Sequence, residues 1–213
     1  MKKRLLILFL LGTAFSFGQT NLYEHPEFKT IAQDHKTIAI LPFKAIIKLR
    51  PKQMKKITED ELREMELKEG LAIQSALHSW FLKRKTQKKT DKNVQDPNRT
   101  NALLKKNNIT FATIIEYTPE ELAAILNVDA VISGVLKTNK PMSEGASMAI
   151  GLVFGFFGST NSGTMEMSVN DGKTGELMWK YSKKLNRSLG SDTDTVINAL
   201  MRKASRRLTY MKK

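Results

Sequence analysis

Asp129–Leu136 reads DAVISGVL, and all but Asp129 and Ser133 of its residues are apolar or glycine. A run this short, rich in β-branched residues, predicts a strand, and its apolar character on both faces places it centrally in a sheet covered on at least one side. Gly134 within it predicts close backbone packing. A second run, Thr37–Phe43 (TIAILPF), has the same character, and Pro42 is tolerated only near its end. Further along, Thr164–Val169 (TMEMSV) and Glu176–Lys183 (ELMWKYSK) alternate with period two around Asn170–Gly175 (NDGKTG), which predicts an antiparallel hairpin. Trp179 and Tyr181 fall on one face of its second strand, where large rings fill a core between sheet and helix.

Helical signals surround these strands. Thr58 followed by Glu59, Asp60 and Glu61 is a capping box, and Leu62, Met65, Glu69, Ala72, Ala76 and Trp80 continue it as one stripe, so a long helix runs to about Lys83. A short helix is expected over Asn98–Lys106. Another opens at Thr118-Pro119-Glu120-Glu121 and ends near Asn127. A last one runs from Asp192 to about Tyr210, with Val196, Leu200, Ala204 and Leu208 on its apolar stripe. Lys85–Arg99 reads as a loop with a short edge strand at Asn93–Gln95, residues 19–34 as a lead-in without a clear period, and the stretch from Phe43 to Lys56 as a basic linker. The fold class expected is α/β (α+β), a single mixed sheet of about four to five strands packed by the long helix and the C-terminal helix.

The first 18 residues predict export. Lys2, Lys3 and Arg4 precede the apolar run Leu5–Leu11, and Ser16 and Gly18 stand at a cleavage position before Gln19. The apolar run falls short of the roughly 20 residues of a spanning helix. On this reading residues 1–18 are a signal peptide, residues 19–34 the lead-in and residues 35–213 one α/β domain with an apolar insertion at 146–157. The chain has no cysteine. Disulfides, thiolate metal sites and a lipid-bearing cysteine are therefore excluded, and the protein is expected in the periplasm or at the outer membrane without a lipid anchor.

The chain carries a formal charge of +14. Removing Lys2, Lys3 and Arg4 leaves about +11, concentrated in Lys83–Lys92 and Arg202–Lys213. Tyr210 is the one aromatic residue within these runs, too few rings to stack on successive bases, so nucleic acid is not the expected partner. Outside the cytoplasm the counter-charges are anionic lipids, acidic glycans and acidic protein faces, and Lys83, Arg84, Lys85, Lys88 and Lys89 are the residues expected to meet such a surface, as a peripheral contact.

Ala146–Phe157 (ASMAIGLVFGFF) is apolar apart from Ser147 and rich in glycine. As a strand it presents Met148, Ile150, Leu152, Phe154 and Phe156 on one face; as a helix it aligns Ser147, Gly151, Gly155 and Ser159 in a ridge of small residues. Twelve residues of helix span only about 18 Å, short of a hydrocarbon core of about 30 Å. The readings left open are a contact with a partner or the protein's own sheet, insertion into a membrane, and disorder.

Catalytic and cofactor signals are absent from the sequence. His25, His35 and His78 are scattered, no serine stands in a nucleophile elbow, and Gly151–Gly155 lacks a phosphate-loop lysine. The acids Glu59–Glu61 and Glu120–Glu121 stand where helix capping accounts for them. No cofactor, metal or small-molecule substrate is expected.

Three stretches carry a likeness to a known family: Ile38-Ala39-Ile40-Leu41-Pro42-Phe43, the passage from Pro119-Glu120-Glu121-Leu122 to Asp129-Ala130-Val131-Ile132-Ser133-Gly134, and the hairpin Asp171-Gly172-Lys173-Thr174-Gly175-Glu176-Leu177-Met178-Trp179. The chain resembles the α/β periplasmic domain shared by the curli-secretion channel lipoprotein, the lipoprotein activators of peptidoglycan synthases and the amino-terminal domain of the Tol-system propeller protein. Two departures stand out: the anchoring cysteine of most such proteins is missing, and the segment after the long helix is polar. The resemblance implies a domain without catalytic residues that scaffolds or regulates an envelope assembly machine through contacts with an envelope protein or a second copy of itself. The alternatives are a membrane-associating, oligomeric component of an outer-membrane secretion or assembly apparatus, and an enzyme whose site carries no recognisable motif.

Overall fold

The computed structural model describes residues 20–139, 163–185 and 192–212. The signal-peptide reading of residues 1–18 and the apolar segment 146–157, with Met148, Ile150, Leu152, Phe154 and Phe156, lie outside the described residues.

The run DAVISGVL is the centre of the molecule. It forms β5 (Ala130–Thr138), flanked on one side by β6 (Gly163–Asp171) and on the other by β2 (Thr37–Ile40) and β3 (Lys44–Ile47). The expected hairpin is β6 with β7 (Leu177–Leu185), and β1 (Thr20–Glu24) adds an outer antiparallel strand to β7. β4 (Asn93–Val94) pairs parallel with β2 at the opposite edge. The mixed α/β class holds, and the described residues form a mixed sheet of seven strands rather than about four to five.

The extra strands have physical reasons. In β1 only Leu22 of the described side chains turns toward the core, which leaves too weak a period to read. TIAILPF ends its pairing at Ile40, but the Leu41 N–H still donates to the Ile132 carbonyl at 2.8 Å, and beyond Pro42 the chain rejoins the same partner as β3. Thus the expected basic linker is a strand followed by the short helix α2 (Pro51–Met54). The expected lead-in likewise holds α1 (Phe28–Asp34), which buries Phe28 and Ala32 one turn apart.

The long helix, α3 (Glu59–Thr86), has the capping box anticipated for it: the Thr58 hydroxyl accepts from the Glu61 N–H, and the Glu61 carboxylate accepts from the Thr58 N–H. With 28 residues it is about 42 Å long. Its buried side is broader than one stripe, taking in Ile73, Gln74, Leu77 and Phe81 beside Met65, Glu69, Ala76 and Trp80. α4 (Pro97–Lys106) and α5 (Pro119–Leu126) lie where expected, the latter closed by Asn127 in the left-handed region at φ 53°. The last helix is shorter than expected. α6 (Thr193–Ala204) gives way to a 3-10 turn over Ser205–Arg207. Leu208 and Tyr210 are both buried, and a spacing of two is extended rather than helical.

These elements leave the sheet covered unequally. On one face α1, α3 and α6 bury Ile38, Ile40, Ile132, Leu136, Met165, Met167, Val169, Trp179 and Tyr181 in the larger core. The Trp179 and Tyr181 rings stack there, with centroids 5.7 Å apart and planes 5° from parallel. On the other face, among the described residues, α4 and α5 cover only the end formed by β2 and the start of β5, through Leu104, Leu122, Ala123 and Leu126 against Ala39, Leu41 and Val131.

Candidate functional site

Where α5 ends its cover, the second face of the sheet is left open by the described residues. Register and alternation bring Ser133 and Val135 of β5, Glu166 and Ser168 of β6 and Lys180 of β7 side by side on this face, all half-buried or exposed. A groove of about 380 Å³ lies between this floor and a wall made by Ile114, Ile115, Tyr117, Pro119 and Leu122. Its floor carries an ion pair, Lys180 Nζ to Glu166 Oε2 at 3.1 Å. The wall is held from below: the Thr118 hydroxyl accepts from the Glu121 N–H while the Glu121 carboxylate accepts from the Thr118 N–H at 2.8 Å, which fixes the start of α5. Ile115, in the 3-10 turn Ile114–Glu116 ahead of α5, is 68 % exposed at the rim. An isoleucine so placed gains nothing for the fold, and it is available to a partner.

The sequence reading missed this wall. Its only signal was the apolar pair Ile114-Ile115 just ahead of the Thr118 capping box, and nothing in the spacing joins that pair to Glu166 or Lys180.

A second feature is buried and polar. His35, 3 % exposed, lies between Asp171 and Tyr210: Nε2 donates to Asp171 Oδ1 at 2.8 Å, and Nδ1 then accepts from the Tyr210 hydroxyl at 2.6 Å. The other Asp171 oxygen accepts from the N–H groups of Lys173 and Thr174 and from the Thr174 hydroxyl, which caps the hairpin turn. Burial, together with the Asp171 and Asp129 carboxylates, pushes the Tyr210 hydroxyl above the ordinary phenol range. Both ring nitrogens and both carboxylate oxygens are thereby engaged, and the arrangement is a structural junction. His78 is half-buried on α3, and burial lowers its pKa despite the Asp96 charge. Among the described residues no group of three or more His, Cys, Asp or Glu side chains could hold a metal ion. None of their helices is long and apolar enough to cross a membrane.

The basic residues singled out from the sequence gather at the end of α3. Lys83, Lys85, Lys88 and Lys89 are exposed. Arg84 is half-buried, its guanidinium 4.9 Å from the Trp80 ring centroid, and Lys85 donates to Asn93 Oδ1.

No protein-family model and no curated protein matches the chain. Among solved structures it is similar to lipoprotein GNA1162 from Neisseria meningitidis, with 15 % identity over 80 % of this chain and 99 % of that one and a TM-score of 0.42. It is also similar to the PelC dodecamer from Paraburkholderia phytofirmans, with 12 % identity over 86 % of this chain and 96 % of that one and a TM-score of 0.39. The LpoB C-terminal domain from Salmonella enterica is 10 % identical over 76 % of this chain and 93 % of that one, with a TM-score of 0.35. At such identities and TM-scores nothing about function follows from these neighbours.

Proposed function

We propose that this protein is a non-catalytic, exported component of the cell envelope that acts by binding a protein partner in the groove between α5 and the open half of the sheet. The observation that carries the reading is the unequal cover that the described residues give the sheet: one face is closed, whereas the other ends in a groove with an exposed isoleucine at its rim. The basic start and short apolar run of residues 1–11 support export, and the resemblance read from the three sequence stretches supports a scaffolding or regulatory role. Chemistry has little to work with among the described residues: the buried titratable cluster His35–Asp171–Tyr210 has its ring nitrogens and carboxylate oxygens occupied.

The test is a photo-crosslinking residue at Ile115 in the full chain, followed by fractionation of the cells. The expected result is a discrete adduct in the envelope fraction that disappears when Ser168→Trp fills the groove floor and does not form from a label at Lys105. Equal labelling from both positions, or protein confined to the cytoplasm, overturns the reading. Washing the envelope with salt and then carbonate separates it from the alternative: release supports a peripheral binding protein, and resistance to both washes favours insertion through Ala146–Phe157.

A further inference from the structure

Two basic runs more than a hundred residues apart in sequence form one surface. α3 and the turn after it present Lys83, Lys85, Lys88 and Lys89 to solvent, and the segment after α6 presents Arg206, Arg207 and Lys212. The Lys212 N–H donates to the Lys89 carbonyl at 2.8 Å, which joins the two runs edge to edge. Arg206 and Arg207 extend the surface toward α1, where they line a hollow of about 330 Å³ with Lys29.

Little within the described structure offsets this charge. None of these lysines and arginines forms an ion pair with a carboxylate of the described residues. Two acids stand close by: Asp91 lies 3.5 Å from Lys92 Nζ, and Glu24, which accepts from the Thr209 hydroxyl at 2.5 Å, lines the same hollow as Lys29, Arg206 and Arg207 and offsets part of their charge. Each helix C-terminus carries only about half a unit of negative charge, so two such ends account for a fraction of the cations gathered there. Like charges held together in excess of the acids beside them weaken a fold, and an external anion relieves that repulsion.

The surface has the character of a bilayer-binding face. Leu82, 45 % exposed, stands within the run beside Lys83 and offers an aliphatic side chain to the headgroup layer. The aromatic rings near it are withdrawn, Trp80 at 3 % and Tyr210 at 2 % exposure, and so do not serve as platforms for bases. We propose that this joint surface docks the protein on an anionic phospholipid bilayer. The proposal is independent of the groove, and an absent adduct at Ile115 leaves it standing.

The test is co-sedimentation of the protein, purified from its expressing cells, with phosphatidylcholine vesicles containing phosphatidylglycerol and with phosphatidylcholine alone. Three variants each remove three charges: K83Q/K88Q/K89Q, R206Q/R207Q/K212Q, and a remote control, K105Q/K106Q/K137Q. The expected result is salt-sensitive binding to the phosphatidylglycerol vesicles only, weakened on the order of 100-fold by each of the first two variants and unchanged by the control. Equal binding to both vesicle types, an equal loss in the control, or loss in only one of the first two variants overturns the proposal. So does failure to bind vesicles by protein that does bind duplex DNA or an acidic polysaccharide. Unchanged thermal unfolding of the variants separates lost charge from lost fold.

Discussion

His35 Nε2 lies 2.8 Å from Asp171 Oδ1, and this contact ties the chain ahead of β2 to the far end of β6 across 136 positions of sequence. The same imidazole accepts the Tyr210 hydroxyl, so the residue also holds the C-terminal segment against the sheet. Tyr210→Phe leaves Nδ1 buried without a donor and is expected to cost about 1–3 kcal/mol. Asp171→Ala is expected to cost more, on the order of 3 kcal/mol, because the capped turn at Lys173 and Thr174 loses its acceptor as well. Denaturant unfolding measures both, and a double variant that adds the two costs in full would show that the contacts act separately.

Acid should act through the same carboxylate. Burial pushes Asp171 upward, but the His35 bond and the Thr174 N–H and hydroxyl bonds outweigh it and hold the group below the ordinary carboxylate range. A carboxylate depressed in the folded state adds stability that is complete above its unfolded pKa and lost as pH falls through the lower folded value. The gap in stability between the native protein and Asp171→Asn is therefore expected to be constant near neutrality and to shrink as pH falls from the ordinary carboxylate range downward. A gap that stays level through this acid range would refute the assignment.

Gly134 is held by close approach rather than by backbone conformation. A Cβ there would stand 2.2 Å from Phe43 Cε1 and 2.4 Å from the Glu166 carbonyl oxygen, and the carbonyl belongs to the paired strand β6 and cannot withdraw. Gly134→Ala is expected to destabilise by about 1–3 kcal/mol, with the Phe43 ring displaced. Thermal unfolding reads the cost, and a stability equal to the native value would mean that β6 can shift where the geometry says it does not.

How far the sequence could be read follows from how much local signal each element carries. DAVISGVL, the TMEMSV–ELMWKYSK hairpin and the Thr58 and Thr118 capping boxes each contain their own period or cap, and each stands where the pattern placed it. β1, β3 and α1 were illegible because each buries only one or two side chains, and the partner strands that complete them are distant in sequence. Tyr210 fits the helical spacing of α6 poorly, and what takes it off the helix is its hydroxyl bond to His35, 175 positions away. The groove was hidden for a related reason: its wall and floor come from segments whose roles depend on where α5 stops covering the sheet. Composition did show the two basic runs, whereas their union rests on the Lys212–Lys89 bond that only the fold supplies.

Ile115 allows binding and stability to be separated. Its side chain is 68 % exposed and outside the buried clusters, so Ile115→Asp is expected to change unfolding free energy by no more than about 0.5 kcal/mol. Thr118→Ala is the opposite case. It removes the cap that fixes the start of α5 and is expected to cost about 1 kcal/mol while leaving the groove's apolar lining intact. If the groove holds a partner, Ile115→Asp should abolish recovery of the crosslinked or co-purified envelope protein from a fully folded chain, and Thr118→Ala should weaken recovery only in proportion to its loss of stability. Recovery that tracks stability in both variants would mean that the groove is a gap in the sheet's cover and that the partner binds elsewhere.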